Sequence, residues 1–160
     1  MLQAAIIGAS GYTGSELAKL IAQHPHFELG GLYVSQNSAD AGKYLCELDG
    51  RLPEAIFHQP ELALKPLDAN QLPELANAMD LIFLALPHEA SHDWAPVLLE
   101  GKAKVLDLSG AYRMSEASLY DQFYGFTHQN LGLLEQAVYG LAEWNSCLLY
   151  TSPSPRDSDQ

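Results

Sequence analysis

Three regularly spaced glycines follow a short apolar run near the amino terminus. The sequence GASGYTG at residues 8–14 places Gly8, Gly11 and Gly14 directly after the apolar residues 3–7. Glycine permits a tight turn and a close approach of backbone N–H groups to a ligand, and a helix that begins there adds partial positive charge. The pattern therefore predicts a pyrophosphate-binding turn. The alternative is an ordinary turn, because the Gly-x-x-Gly-x-x-Gly spacing differs from the commonest dinucleotide fingerprint.

A second group of polar residues follows the next apolar run. A site for NAD commonly has an acidic residue at the end of its second strand, where it binds the ribose hydroxyls. Here that place is taken by Ser35, and Lys43 follows a few residues later in SADAGK. No carboxylate stands at the end of the strand to repel a 2′-phosphate, and Lys43 could reach one, so the pattern favours NADPH over NADH. The alternative is that Lys43 is an ordinary solvated lysine.

Two later loops carry further candidates. Leu86, Pro87 and His88 end the strongest apolar run, where the nicotinamide half of a dinucleotide would lie. Ser109 and Arg113 follow the next run in DLSGAYRM, and the planar fork of an arginine suits a phosphate or a carboxylate. The alternatives are a helix-start histidine bonded to the backbone and an arginine in a surface ion pair.

The elements that would position these residues alternate between strands and helices. Continuous apolar runs predict buried strands at residues 3–7, 27–34, 80–86 and 104–108. Helical spacing of the apolar residues Leu17, Leu20 and Ile21 predicts a helix over 14–24. A second helix is predicted over 91–100, with Trp94, Val97 and Leu98 facing inward and Pro96 weakening its start. This order predicts an α/β fold with a doubly wound, mostly parallel sheet of the Rossmann type.

The remaining segments give weaker patterns. Residues 45–78 contain four prolines, which predict one irregular strand near 62–67 and a short helix. Residues 115–124 have helical spacing, and residues 137–139 are consistent with a short strand.

Composition restricts the class of partner. The chain has 20 acidic and 8 basic residues and no apolar run near the length of a membrane span. An acidic surface repels nucleic acid and anionic membranes, so we expect a small-molecule partner. The amino terminus has no basic segment of a secretion signal, and two cysteines suggest neither a metal site nor a disulfide framework. We therefore expect a cytoplasmic protein.

Four motifs in order, GASGYTGSEL, LPHEASHD, DLSGAYRM and YGLAEW, together with FYGFTHQ at residues 123–129, resemble the N-acetyl-gamma-glutamyl-phosphate reductases of the semialdehyde dehydrogenase group. The resemblance covers residues 1 to about 145. It implies NADPH-dependent reduction of N-acetyl-glutamyl 5-phosphate to the semialdehyde, an arginine-biosynthesis step, through a cysteine thioester that accepts hydride. The full-length enzyme is expected to be a homo-oligomer.

The resemblance also implies roles for individual residues. Those that match the pyrophosphate turn are Ser10, Gly11, Tyr12, Thr13 and Gly14. Ser35 and Lys43 match the 2′-phosphate region, and Ser109 matches a loop near the nicotinamide. Arg113 matches the arginine that binds substrate phosphate in related semialdehyde dehydrogenases.

The sequence departs from the family at the nucleophile. The family has a Pro-Gly-Cys-Tyr-Pro-Thr-like segment shortly after YGLAEW, and the printed sequence has none. Cys147 lacks the flanking residues, and Cys46 lies among acidic residues that disfavour a thiolate, so no catalytic residue is assigned. The expectation is a dinucleotide-binding domain at 1–146 without the second, catalytic domain. Residues 147–160 are expected to be a disordered tail, because they have no periodicity, two Ser-Pro steps and a polar end. CLLYTSPSPRD also resembles translated sequencing-adapter DNA, which indicates a non-native tail.

Three other hypotheses about the function can be distinguished from this one. A short-chain reductase would need a Tyr-x-x-x-Lys pair, and none of the eight tyrosines has a lysine four residues later. An aspartate-semialdehyde dehydrogenase has similar chemistry, but the YGLAEW and THQ motifs favour the arginine-pathway enzyme. A stand-alone NADP(H)-binding module without catalysis would require the native gene to end near codon 160.

Overall fold

The computed structural model describes residues 1–140, which divide into two compact units, residues 1–109 and the residues from Gly110 onward. The predicted tail at 147–160 and most of the YGLAEW motif lie outside the described residues. The assignment of residues 1–146 to a single dinucleotide-binding domain stays a prediction.

The first unit contains a sheet of five parallel strands. They are β1 (Leu2–Ile7), β2 (Phe27–Ser35), β3 (Lys65–Leu67), β4 (Leu81–Leu84) and β5 (Lys104–Asp107), in the spatial order β3-β2-β1-β4-β5. All four pairings are parallel. The chain moves outward from β1 in one direction and then returns to β4 on the other side, which confirms the predicted doubly wound sheet. Ligands of such sheets bind outside the carboxyl ends of the strands, where the order reverses.

The helix after β1 is α1 (Tyr12–Ala22), which buries Gly14, Ala18 and Ile21 against the sheet. Those three positions follow the i, i+4, i+7 spacing of one helix face. Leu20 lies about 100° from Ile21 around the axis and is 59% exposed, so it lies outside the buried face of the helix. The predicted strand and helix before and after the glycine turn are confirmed.

The segment between β2 and β4 is built from short pieces. It contains α2 (Leu45–Leu48), α3 (Glu54–Phe57) and α4 (Leu72–Ala78), with single 3₁₀ turns at Pro60–Leu62 and Ala69–Gln71. Leu45 and Phe57 are buried in the core beside α1 and β2. The irregular strand expected near 62–67 is confirmed only over the three residues of β3.

The helix after β4 is α5 (His88–Leu99), which begins three residues before the predicted Ser91. Pro87 precedes it, in a place where a missing N–H group leaves no helical bond unmade. Pro96 is the ninth residue of this helix, which continues to Leu99, so Pro96 does not lie at the start of the helix as predicted. Leu98 is buried as predicted, whereas Trp94 and Val97 are half-buried.

The second unit contains α6 (Ser118–Phe123) and α7 (Leu131–Gln136) within its described residues. The helix predicted over 115–124 is therefore confirmed over the shorter range of α6. Residues 137–139 form no strand, and that prediction is wrong. The longest helix in the described part of the chain has 12 residues, and none there is long and apolar enough to cross a membrane.

Candidate dinucleotide site

The glycine turn lies where the strand order reverses. Gly8 follows β1 directly, and its N–H group donates to the carbonyl oxygen of Tyr33 at 2.9 Å. Its φ is +90°, a backbone conformation that favours glycine. A Cβ atom at this position would lie 2.2 Å from the carbonyl oxygen of Ala85, which follows β4. The ends of β1, β2 and β4 therefore meet at Gly8, and only glycine fits there.

Gly14 allows α1 to pack directly on this turn. A Cβ atom on Gly14 would lie 2.3 Å from the Gly8 carbonyl oxygen and 2.8 Å from the Ala9 Cα atom. The start of α1 is thus held close to the carboxyl end of β1. This close approach directs the amino end of the helix into the crevice of the sheet.

Gly11 differs from both, because it has open space around it. It is the N-cap of α1 with a φ of −73°, and a Cβ atom there would meet only the Gly8 carbonyl oxygen, at 3.6 Å. No side chain caps α1. The first-turn N–H groups, including those of Tyr12, Thr13 and Gly14, have no partner within the helix. A glycine beside uncapped N–H groups fits a pyrophosphate, which binds at such helix ends.

The other residues of the predicted turn are accessible. Ser10 is half-buried, Thr13 is exposed, and the Tyr12 side chain is 97% exposed. Tyr33, whose carbonyl oxygen binds the turn, has its pKa raised by burial and further by the charge of Glu74. The hydroxyl of Tyr33 is therefore neutral at pH 7.

The predicted 2′-phosphate residues follow β2. Ser35 ends that strand and is exposed, and the backbone then makes two turns in which Ser35 accepts from Ser38 and Ser38 accepts from Ala41. The Lys43 ammonium lies 3.2 Å from the Asp40 carboxylate and is 47% exposed. Asp40 was not predicted from the sequence as the partner of Lys43, because an i, i+3 spacing indicates contact on a helix and this segment is a series of turns.

Two backbone hydrogen bonds hold Lys43 and its neighbour Gly42 next to the residue that precedes β3. The carbonyl oxygen of Lys43 accepts from Leu64, which immediately precedes β3, and the neighbouring Gly42 donates to Leu64. The side chain extends from there toward Asp40 in the turn after β2. A phosphate bound by Lys43 would have to compete with the Asp40 carboxylate.

The loop after β4 lies against the glycine turn. A Cβ atom on Gly8 would lie 3.4 Å from Cδ2 of Leu86, which places this side chain over the turn. Pro87 is exposed and is the N-cap of α5. A second helix therefore begins at the same crevice as α1.

In each of the two helices the fourth residue is a serine, Ser15 or Ser91, with a buried hydroxyl that has no hydrogen-bond partner in the described structure.

Ser109 closes the loop after β5. Its N–H group and hydroxyl donate to the two carboxylate oxygens of Asp107, at 2.9 and 3.0 Å. Leu108 donates to the carbonyl oxygen of Leu84, which ties this loop to the end of β4. The structure thus brings the glycine turn, Leu86, Pro87 and Ser109 to the carboxyl edge of one sheet. Arg113 belongs to the second unit and is described with it below.

A doubly wound sheet with a glycine turn and an uncapped helix at its switch point defines a dinucleotide-binding domain. The chain belongs to the family described as semialdehyde dehydrogenase, NAD binding domain, whose model matches residues 3–150. This finding confirms the resemblance drawn from the sequence motifs.

Curated relatives are similar over most of this chain. It is 54% identical over 145 residues to an N-acetyl-gamma-glutamyl-phosphate reductase of Alteromonas mediterranea, covering 91% of this chain and 42% of the relative. It is 56% identical over 144 residues to one of Pseudoalteromonas atlantica, covering 90% of this chain and 41% of the relative. The chain therefore spans about two fifths of the length of these relatives.

Among solved structures, the chain is similar to aspartate semialdehyde dehydrogenase with NADP from Candida albicans. The TM-score is 0.54 and the identity 21%, over 73% of this chain and 32% of the other. At this identity the likeness supports the fold alone.

Proposed function

We propose that this chain is the NADPH-binding part of an N-acetyl-gamma-glutamyl-phosphate reductase. In the arginine pathway such an enzyme reduces N-acetyl-glutamyl 5-phosphate to N-acetyl-glutamate 5-semialdehyde and releases phosphate. The observation that carries the proposal is the identity of 54–56% over about nine tenths of the chain to relatives of that name. The location of the glycine turn at the switch point of the sheet supports it independently.

In the proposed function, each predicted residue binds a particular part of the cofactor or the substrate. The uncapped N–H groups of Tyr12, Thr13 and Gly14 hold the pyrophosphate in the turn that Ser10 and Gly11 form. Ser35 and Lys43 bind the 2′-phosphate. Leu86, Pro87 and Ser109 line the nicotinamide region, and Leu86 excludes water from it. NADPH supplies a hydride to the acyl carbon of the substrate. Arg113 binds the substrate phosphate.

The nucleophile of the reaction is not among the residues assigned here. Cys46 is half-buried in the short helix α2, and Cys147 lies outside the described residues. We propose that the attacking cysteine belongs to a segment of the native protein that this sequence does not contain, and that this chain alone is inactive. A cytoplasmic location and a homo-oligomeric full-length enzyme complete the proposal.

The sharpest test of the pyrophosphate turn is Gly11→Ala. The added methyl group meets no atom closer than 3.6 Å in the protein itself and needs no positive φ, so folding should be unaffected. It would fill the space through which a phosphate approaches the helix end. We expect NADPH affinity, measured by fluorescence titration, to fall at least about tenfold while the melting temperature stays unchanged.

Gly50→Ala is the matched control, because a Cβ atom there has nothing within 4 Å. It should leave NADPH affinity unchanged. Equal affinity of wild type and Gly11→Ala for NADPH would remove the turn from the proposed site.

Lys43→Ala tests the choice of cofactor. Loss of this charge should weaken NADPH binding by about tenfold and leave NADH binding unchanged, because only NADPH carries a 2′-phosphate. Lys104→Ala removes the same charge at the first residue of β5, at the opposite edge of the sheet, and serves as control. Equal losses of affinity for NADPH and NADH would show that Lys43 does not bind the 2′-phosphate.

Sequencing the source locus across codon 146 tests the reductase assignment. A native frame that continues into a Pro-Gly-Cys-Tyr-like segment supports the reductase. A frame that reads through CLLYTSPSPRD to a stop would leave a cofactor-binding module without catalysis.

A further inference from the structure

Arg113 is oriented by aromatic side chains in the second unit. Its Nη1 atom donates to the hydroxyl oxygen of Tyr124 at 3.4 Å, and its guanidinium carbon lies 5.6 Å from the ring centroid of Tyr139. Its N–H group donates to the Gly110 carbonyl oxygen, which closes a turn. Among the described residues, none of the ion pairs includes Arg113.

The backbone on either side of Arg113 is also fixed by buried side chains. Tyr120, which is fully buried, accepts a hydrogen bond from the N–H group of Met114 at 2.8 Å. On the other side, Nε2 of the buried His128 lies 2.8 Å from the carbonyl oxygen of Ala111. A carbonyl oxygen only accepts, so Nε2 is the donor. The segment carrying Arg113 is thus held at both ends.

Tyr124 occupies its place because residue 110 is glycine. A Cβ atom on Gly110 would lie 2.6 Å from the Tyr124 hydroxyl oxygen and 2.7 Å from its ring. The ring also stacks on Tyr120, with centroids 5.3 Å apart and planes at 30°. The hydroxyl of Tyr124 is therefore directed at Arg113 by packing on two sides.

The surroundings of Arg113 differ from those of Arg51, which forms a surface ion pair. The Arg51 guanidinium makes two hydrogen bonds to the Asp49 carboxylate, at 2.9 and 2.8 Å, which neutralise its charge locally. Arg113 is instead oriented by the Tyr124 hydroxyl and an aromatic face, so its charge and most of its N–H groups stay available to an anion.

We propose that Tyr124 is a positioning residue that orients the Arg113 guanidinium for a phosphate group. The inference rests on the proposed function for the role of Arg113 and adds to it the group that sets its geometry. Because phosphate recognition by arginine depends on two aligned N–H groups, a fixed guanidinium plane binds more tightly than a mobile one. Gly110 contributes by leaving space for the tyrosine ring.

Nuclear magnetic resonance on the whole chain tests this directly, because its only arginines are Arg51, Arg113 and Arg156. With ¹⁵N-labelled arginine, the Nε–H signal of Arg113 reports side-chain order through its heteronuclear NOE. Its shift during titration with inorganic phosphate reports affinity. In Tyr124→Phe, which keeps the ring, we expect a lower NOE for Arg113 and about three- to tenfold weaker phosphate binding.

Gly110→Ala, which displaces the tyrosine ring, should change both quantities in the same direction. Phe123→Leu is the control, because Phe123 is the adjacent residue of α6 and is 64% exposed. It should change neither. The Arg51 signal should stay constant in every variant.

The outcomes separate the two proposals. If Arg113 binds phosphate equally well in wild type and Tyr124→Phe, with equal order, the positioning role of Tyr124 is overturned and the role of Arg113 stands. If the Arg113 signal of the wild type does not respond to phosphate, the proposed role of Arg113 fails, and the positioning role fails with it.

Discussion

At the scale of single residues, the three glycines of the turn serve three different physical needs. Gly8 combines a positive φ with contact to a neighbouring strand end, and Gly14 allows a helix to pack on the turn. Gly11 has neither constraint and leaves space on the ligand side. Substitutions at Gly8 and Gly14 should therefore affect folding, whereas substitution at Gly11 should affect binding.

Gly8→Ala should be strongly destabilising. An alanine at φ +90° is strained by about 1–2 kcal/mol, and its methyl group would collide with the Ala85 carbonyl oxygen. Gly42→Ala is the matched control, because Gly42 has φ +85° but nothing within 4 Å of a Cβ atom. We expect Gly8→Ala to lower the free energy of unfolding by at least about 2 kcal/mol more than Gly42→Ala, measured by urea denaturation. Equal losses in the two variants would show that the collision is relieved by relaxation.

Residue chemistry was more predictable than residue geometry. The glycine turn, Leu86, Pro87 and Ser109 were identified from type and order, because parallel strands bring their carboxyl ends to one edge. The Asp40 partner of Lys43 and the Tyr124 partner of Arg113 were not identified. Those pairings depend on the exact path of a loop and on packing, which periodicity does not encode.

At the scale of elements, predictions succeeded where burial alone determines the structure. Strand β1 is buried on both faces over residues 4–7, and every residue of β4 is at least half-buried, so a continuous apolar run was sufficient to locate them. Residues 137–139 have similar side chains but form no strand, because neighbours along the chain decide pairing. The short helices α2 and α3 depend on burial of Leu45 and Phe57 in the core, and four-residue helices have almost no intrinsic signal.

Asp80 joins the amino-terminal ends of β1 and β4 and should make stability depend on acid pH. Its carboxylate accepts from the Gln3 N–H group at 2.8 Å and lies 3.4 Å from the Lys102 ammonium. The Gln3 hydrogen bond, with Lys102 assisting, lowers its pKa below the ordinary 3.8. The contribution to stability is therefore fully present above about pH 4 and is lost as pH falls through the lower, folded-state pKa.

Asp80→Asn should accordingly reduce the urea midpoint at pH 7 and flatten its decline below pH 4, since the amide does not titrate. Glu61→Gln, at an exposed carboxylate, is the control and should retain the decline of the wild type. A variant Asp80→Asn with the full acid dependence of the wild type would show that other carboxylates cause it. Asp49 is one such group, because its hydrogen bonds from Arg51 lower its pKa to about 2.

At the scale of the whole molecule, the net charge of −12 and the exposed edge of the sheet have opposite effects on self-association. The charge repels other copies of the chain and is screened by salt. The edge strand β5 carries Leu106, which is 43% exposed, and is followed by Leu108, which is 45% exposed. Unpaired strand edges with apolar side chains favour association. The balance between the two effects therefore depends on ionic strength.

We expect the chain to associate reversibly at high concentration, and more strongly as salt is added, in sedimentation velocity experiments. Leu106→Lys should shift it toward the monomer, because a lysine on an edge strand opposes pairing with another edge. Leu20→Lys is the matched control, since Leu20 is 59% exposed but lies on the surface of α1. If both variants dissociate the chain equally, general apolar exposure is responsible and the edge of β5 is not. If the wild type is monomeric at every salt concentration, electrostatic repulsion between copies is not what limits association, and the exposed leucines of β5 do not form a contact.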